Sequence, residues 1–233
     1  MRDFKPISLE SHLGNLSLFS ALDSAAIERL ARNAQLTSID KGEILFHAGD
    51  VCTGFHLLIY GQIKLAFSSA QRTEKVMEIV EQGQSVGEVV MFLDTPYMVF
   101  AQALKDSLLI HVSKSDIFSE LERDQYFTSK MLSGMAKRTH DLMADVESYS
   151  LQSAKQRTIG YLMTELTQES IDSNKLEFEL LASKGVVASR LNITQEHFSR
   201  VLHDLSAEGL LKVNGKKIWI PSVSGLLKNQ ETP

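Results

Sequence analysis

Residues Ser183 to Ile220 read SKGVVASRLNITQEHFSRVLHDLSAEGLLKVNGKKIWI. Ser183 suits the N-cap of a helix running to about Leu191, with Val186, Val187 and Leu191 as its apolar face. Asn192-Ile193-Thr194 is a three-residue turn, and Thr194 caps a second helix from Gln195 to about Glu208. Phe198, Val201, Leu202 and Leu205 fall on one face of that helix, and Gly209 stops it. Two short helices joined by a tight turn predict a helix-turn-helix. Leu210 to Val213, then Asn214-Gly215, then Lys216 to Ile220 reads as a hairpin on a type I′ Asn-Gly turn, a lysine-flanked wing.

The outward face of the second helix carries Gln195, Glu196, Ser199, Arg200 and His203, with His197 in the same first turns. Those turns are the part that would enter a major groove. Arg200 can donate two hydrogen bonds to guanine, and Glu196 can accept from a cytosine amine. Thr194, Ser199 and Lys184 suit phosphate oxygens, and Lys216 in the wing suits the backbone. The competing reading is an ordinary surface helix in which Glu196 and Arg200 form an i,i+4 ion pair worth about 0.3–0.5 kcal/mol. Charge favours the first reading: residues 1–152 hold 14 Lys+Arg against 20 Asp+Glu, whereas Ser183–Lys217 holds 6 against 3.

Upstream, Ser153 to Gln168 reads as an amphipathic helix, Glu169–Lys175 as a polar loop and Leu176–Leu180 as a short strand. From Gln125 to Leu151 there is no proline, and Leu132, Met135, Thr139, Leu142, Val146 and Tyr149 recur at alternating spacings of three and four. That is a narrow coiled-coil seam with polar flanks, expected at a dimer interface. Ser115 is placed to cap a helix over Asp116–Arg123. Between Ile39 and Val112 short apolar runs at period two are separated by glycines at 42, 49, 54, 61, 83 and 87, which predicts an antiparallel roll. Leu16 to Ala34 reads as short helices. The fold class is therefore α+β. Residues 1–115 form a β-roll with N-terminal helices, 116–152 a long dimerisation helix, and 153–233 a winged helix-turn-helix.

Cys52 is the only cysteine, so neither an internal disulfide nor a multi-cysteine metal cluster is available. No apolar run approaches the ~20 residues of a membrane span, and Met1–Leu13 lacks the apolar stretch of a signal peptide, so a cytoplasmic protein is expected. No Walker-type loop, HExxH or GxSxG elbow occurs, which speaks against an enzyme. The alternative to DNA binding is a ligand-binding roll whose C-terminal module makes protein contacts.

Lys41-Gly42-Glu43-Ile44-Leu45-Phe46, Gly49-Asp50, Tyr60-Gly61-Gln62-Ile63-Lys64 and Gly83…Gly87-Glu88, joined to Ile193-Thr194-Gln195-Glu196-His197-Phe198-Ser199-Arg200, resemble the CRP/FNR superfamily of bacterial transcription regulators over essentially the whole chain. The resemblance implies a homodimer on double-stranded DNA, half-sites like TTGAT in an inverted repeat, RNA polymerase as a partner, and an effector in the roll. The cyclic-nucleotide sensors of that family follow their Gly-Glu with an Arg-Ser about ten residues on. Here the matching stretch is Pro96-Tyr97-Met98-Val99-Phe100, so a phosphate is expected to find no cation and cAMP to bind poorly.

Met91-Phe92-Leu93-Asp94-Thr95-Pro96 and Ala101-Gln102-Ala103 resemble the DNR branch, which implies haem-dependent nitric oxide sensing. The effector pocket is then expected at Gly87, Glu88, Val90, Met91, Met98, Phe100 and His140. The axial ligand is open among His12, His47, His56, His111 and His140, with His140 attractive because the long helix borders the pocket in that family. Cys52 is expected to be a bystander.

Overall fold

The computed structural model describes residues 9–14, 19, 22–68, 73–166, 177–180 and 182–230. The chain divides into two compact units between His140 and Asp141. The first contains α1 (Leu9–Gly14), α2 (Ser24–Asn33), β1 (Gln35–Ile39), β2 (Ile44–Phe46), β3 (Gly54–Ser68), β4 (Glu74–Val80), β5 (Ser85–Val86), α3 (Glu88–Leu93), β6 (Phe100–Ser113), α4 (Lys114–Arg123) and the start of α5 (Gln125–Leu151). The second holds the end of α5, then α6 (Ala154–Thr164), β7 (Glu177–Glu179), α7 (Lys184–Arg190), α8 (Gln195–Ala207), β8 (Lys212–Asn214), β9 (Lys217–Trp219) and α9 (Val223–Gln230). Leu16, Leu18, Gln168, the loop over Glu169–Lys175 and Leu176 lie outside the described residues.

The sheet of the first unit is antiparallel throughout. Its order is β1-β6-β3-β4, with β2 on β6 and β5 on β3. Two cores form on its two faces. Leu13, Phe19, Ile27, Leu30, Ile117 and Phe127 meet Phe55, Leu57, Leu108 and Ile110 on the helix side. Phe46, Val80, Val86 and Tyr97 meet Leu58, Ile63, Leu65, Ala101, Ala103 and Leu109 on the other.

In β3 the side chains at 55, 57 and 59 enter the helix-side core, yet those at 63 and 65, of the same parity, enter the second core. Register shifts between Leu58 and Ile63 exchange the faces. Gly61 sits inside this irregularity at φ 101°, and a Cβ there would come within 2.2 Å of Ser107 Oγ. The glycine read from sequence as a turn is a bulge within one strand. Ser107 Oγ accepts from the Gln62 amide at 3.1 Å and donates to the Lys105 carbonyl at 2.7 Å, satisfying polar groups that the shifts release.

Helix α4 starts two residues before the expected Asp116 and is capped by Ser113, whose Oγ accepts from the Asp116 amide at 3.1 Å. Ser115 is not the cap. Arg29 on α2 grips Glu120 on α4 through Nε at 2.6 Å and Nη2 at 2.7 Å. Glu120 is only 2% exposed, and the Arg29 guanidinium holds its carboxyl below the usual range. Around Phe19, the rings of Phe55 and Phe127 lie at 6.1 and 5.8 Å, tying the N-terminal segment, the sheet and α5 together.

His56 on β3 faces His111 on β6 across the sheet, with ring centroids 4.8 Å apart. His56 Nδ1 is buried and makes no hydrogen bond among the described residues, while His111 Nε2 lies 3.2 Å from Thr53 Oγ1. Burial, helped by the neighbouring ring, pushes the His56 pKa down to about 4, and burial also lowers His111. The unfolded chain therefore takes up these protons at a higher pH than the folded one. Stability should be unaffected above the unfolded value of about 6.5 and fall as pH drops from there to about 4, by up to ~3 kcal/mol for His56. Urea unfolding midpoints between pH 7.5 and 4.5 should show this decline, and His56→Phe should flatten it; an unaltered slope would assign the acid sensitivity to other groups.

Candidate nucleic-acid interface and effector site

In the second unit α7 is capped by Ser183, whose Oγ accepts from the Val186 amide at 3.4 Å. Val187 and Ala188 bury its inner face. Asn192 takes φ 58° in the turn, a conformation asparagine tolerates better than most residues. Thr194 Oγ1 then accepts from the His197 amide at 3.2 Å and starts α8. Phe198, Val201, Leu202 and Leu205 are buried beneath it.

The outer face is set by that burial. Glu196, Ser199, Arg200 and His203 follow at i, i+3, i+4 and i+7, all exposed except the half-buried Ser199. Among the described residues neither Glu196 nor Arg200 enters an ion pair or hydrogen bond, so the surface-pair alternative is not what this conformation contains. His197 is exposed beside them. The Gln195 amide oxygen lies 2.7 Å from where a methyl group at Gly185 would sit, so this side chain leans back on α7. Lys184 is half-buried at the first position of α7.

The wing differs from expectation by one residue. Asn214 pairs with Lys217, so the two-residue loop is Gly215-Lys216. Only Gly215 has positive φ, 63°, the sign pattern of a type II′ turn with glycine first. Lys216 is thereby placed at the tip, exposed and in no ion pair among the described residues. Its neighbours are engaged: Lys212 lies 4.8 Å from the Trp219 ring, and Lys217 is 3.6 Å from Glu177. Tyr149, expected in the α5 seam, instead donates its hydroxyl to the Arg190 carbonyl at 2.6 Å.

In the first unit Gly87 precedes α3 and Glu88 is buried at its first position. Ser85 Oγ donates to Glu88 Oε1. Arg138 on α5 pairs with the Glu78 carboxylate, donates to the Ser85 carbonyl at 3.3 Å, and lies 3.7 Å from Glu88 Oε2. The expectation that this corner lacks a cation is corrected: Arg138 supplies one, committed to two carboxylates. Sequence reasoning missed it because its partners lie 50 and 60 residues away, and on α5 it read only as a polar flank.

The expected pocket lining does not converge. Met91 is packed in the helix-side core, Val90 borders the other core, and Met98 is 71% exposed. Phe100 is half-buried, with Lys64 Nζ 5.3 Å from its ring. His140 is exposed. It follows Arg138 by two positions, about 200° around the helix, and so points away from the Glu88 corner. His12 is half-buried on α1, and His47 is exposed 3.8 Å from Asp50. Cys52 donates its thiol to the Gly54 carbonyl at 3.0 Å. Among the described residues no group of three or more His, Cys, Asp or Glu is placed to hold a metal ion, and no helix is long and apolar enough to cross a membrane.

Comparison with known proteins bears on both units. Residues 36–124 match the cyclic nucleotide-binding domain, and residues 156–228 match the Crp-like helix-turn-helix domain. The chain is 25% identical over 191 residues to the fumarate and nitrate reduction regulatory protein of Escherichia coli K12, covering 81% of this chain and 75% of that protein. It is 28% identical to DNR from Pseudomonas aeruginosa, whose crystal structure aligns over 97% of this chain and 99% of that one with a TM-score of 0.52. FixK2 from Bradyrhizobium japonicum shares the fold, with a TM-score of 0.73 at 16% identity over 86% of this chain and 98% of that one. With an antiparallel-sheet sensor domain, a long helix and a capped helix-turn-helix matching these models in turn, the chain belongs to the CRP/FNR superfamily of transcription regulators.

Proposed function

We propose that the protein works as a homodimer that reads TTGAT-like half-sites in an inverted repeat and is controlled by an effector in its N-terminal domain. The observation that carries this is the outer face of α8. Glu196, Ser199 and Arg200 stand together behind the Thr194 cap, and both charges are left without an ion pair among the described residues. A carboxylate held near phosphates is unfavourable unless it accepts from a base, which is the role given to Glu196. Thr194, Gln195, His197 and Lys184 flank that face, and Lys216 at the wing tip meets the backbone. RNA polymerase is the partner that a DNA-bound regulator of this family addresses, and the cytoplasm is where it would act.

A dimer is needed because two recognition helices must meet major-groove faces about 34 Å apart. Helix α5 offers the seam: Leu132, Leu142 and Val146 are 63%, 46% and 64% exposed at coiled-coil spacing, with Met135 and Thr139 between.

The effector is not cAMP in this reading. The only cation at the Gly87-Glu88 corner among the described residues is held by Glu78 and Glu88. Haem is the effector we favour. It would supply an iron able to bind nitric oxide, and a histidine would hold it. His56 fits best of the five candidates: it is held neutral by burial, and its Nδ1 is buried without a hydrogen bond among the described residues.

Three outcomes are expected. Arg200→Ala should cost roughly 1–3 kcal/mol on a TTGAT repeat and erase discrimination against scrambled DNA, whereas Lys216→Ala should weaken both duplexes alike and lower the salt slope by about one. Retained discrimination in Arg200→Ala would sink the base-reading role. Leu142→Glu combined with Val146→Glu should sediment as a monomer and lose the inverted repeat; a persistent dimer would place the interface elsewhere. Hemin titrated into cofactor-free protein should give a sharp Soret band at one equivalent, with a ferrous spectrum and DNA binding that respond to nitric oxide. His56→Ala should lose that band and His140→Ala keep it; loose, non-saturating hemin uptake that leaves DNA binding unchanged would reject haem.

A further inference from the structure

Asp145 and Tyr149 lie four residues apart near the C-terminal end of α5, on one face of the helix. Both reach a single residue of the helix-turn-helix. Arg190 Nη2 donates to Asp145 Oδ2 at 2.7 Å, and Arg190 Nη1 donates to the Tyr149 hydroxyl oxygen. The same hydroxyl donates to the Arg190 carbonyl at 2.6 Å. Tyr149 therefore binds side chain and main chain of one residue at once. The carbonyl it takes is the last of α7, one of those a helix end leaves without an intrahelical donor. Arg157 on α6 lies 5.9 Å from the Tyr149 ring and backs it from another side.

The residue so held sits directly before the turn that leads into α8. Leu191 and Asn192 are bonded back to α7 through Val187 and Ser189 at 2.9 and 3.1 Å, and Ile193 to Ala188 at 3.0 Å. From Arg190 to the Thr194 cap the path is short and hydrogen-bonded. Holding the end of α7 therefore holds the start of the reading helix. Arg190 also belongs to the basic stretch, but its charge is turned inward onto Asp145 rather than toward solvent.

We infer that Asp145 and Tyr149 are positioning residues for DNA reading, clamping Arg190 so that α5 dictates where α8 points. In the dimer this clamp sets the separation of the two reading helices. The inference rests on the proposed function.

The test uses the full chain and duplexes bearing two TTGAT half-sites whose spacer is lengthened or shortened by one or two base pairs, with a single half-site as reference. Wild-type protein should favour one spacer. Tyr149→Phe removes the hydroxyl alone, and Asp145→Asn removes the charge alone. Both should keep the thermal midpoint and the single-site affinity while the advantage of the preferred spacer falls about fivefold or more. Arg190→Lys, which keeps the charge but lacks the fork that bridges two acceptors, should behave like them. If Arg190 instead served a phosphate, Arg190→Lys would stay near wild type and the clamp would be overturned. An unchanged spacer preference in Tyr149→Phe and Asp145→Asn overturns it too, as does an equal loss on single and double sites. Wild-type protein indifferent to both half-site sequence and spacing would instead overturn the DNA-reading function, and the clamp with it.

Discussion

Strand β3 is buried along almost its whole length because it serves two cores, one on each face of the sheet. A strand of fixed parity could not place Phe55 and Leu57 against the helices and Ile63 and Leu65 against the opposite side. The register shifts around Gly61 make that exchange possible, and only a residue without a Cβ fits against Ser107 there. Strand β6 keeps its parity beside it, sending Leu108 and Ile110 one way and Ala101, Ala103 and Leu109 the other. The rest of the unit follows: α2, α4 and the start of α5 cover one face, and Phe46, Tyr97 and Val86 fill the other.

Charge is arranged on the same economy. Four of the buried or half-buried acids are met by a guanidinium: Glu120 by Arg29, Glu78 and Glu88 by Arg138, Asp145 by Arg190. For the deeply buried Glu120, removing Arg29 would leave an uncompensated charge, which costs more than the pair itself contributes. The outward face of α8 breaks this pattern. Glu196 and Arg200 are at pairing distance in sequence and yet stand apart, which suits side chains whose partners lie on another molecule.

What the sequence disclosed and what it hid divide along a physical line. Signals carried by a few adjacent residues were legible: the Ser183 and Thr194 caps, the stop at Gly209, the apolar face of α8, the hairpin and the uninterrupted α5. Errors at that level were of one or two residues. Ser113 rather than Ser115 caps α4, because both hydroxyls are near and only backbone geometry chooses between them. The hairpin turns at Gly215-Lys216 because cross-strand packing of Val213 on Ile218 sets the register, overriding the Asn-Gly preference. Contacts between distant residues were not legible. Arg138 with Glu78, Tyr149 with Arg190 and Gly61 against Ser107 join residues 41 to 60 positions apart, and nothing local announces them. Met91 failed for a related reason: its place on α3 reads equally as pocket or core until the covering helices are known.

The Glu88 corner shows how far a family motif constrains chemistry. The Gly87-Glu88 pair is kept, and so is a cation within reach, but the cation comes from α5 and is already shared between two carboxylates. An anionic group entering here would compete with Glu78 and Glu88 for Arg138, and would release a carboxylate whose outer oxygen is buried and accepts no hydrogen bond among the described residues. That release is costly where the freed carboxylate oxygen stays out of water. A neutral or weakly charged effector meets no such penalty, because it can leave the three-residue network closed. The Gly87-Glu88 corner thus ties α5 to the roll through Arg138, and an anion could take that guanidinium only by displacing a carboxylate from it.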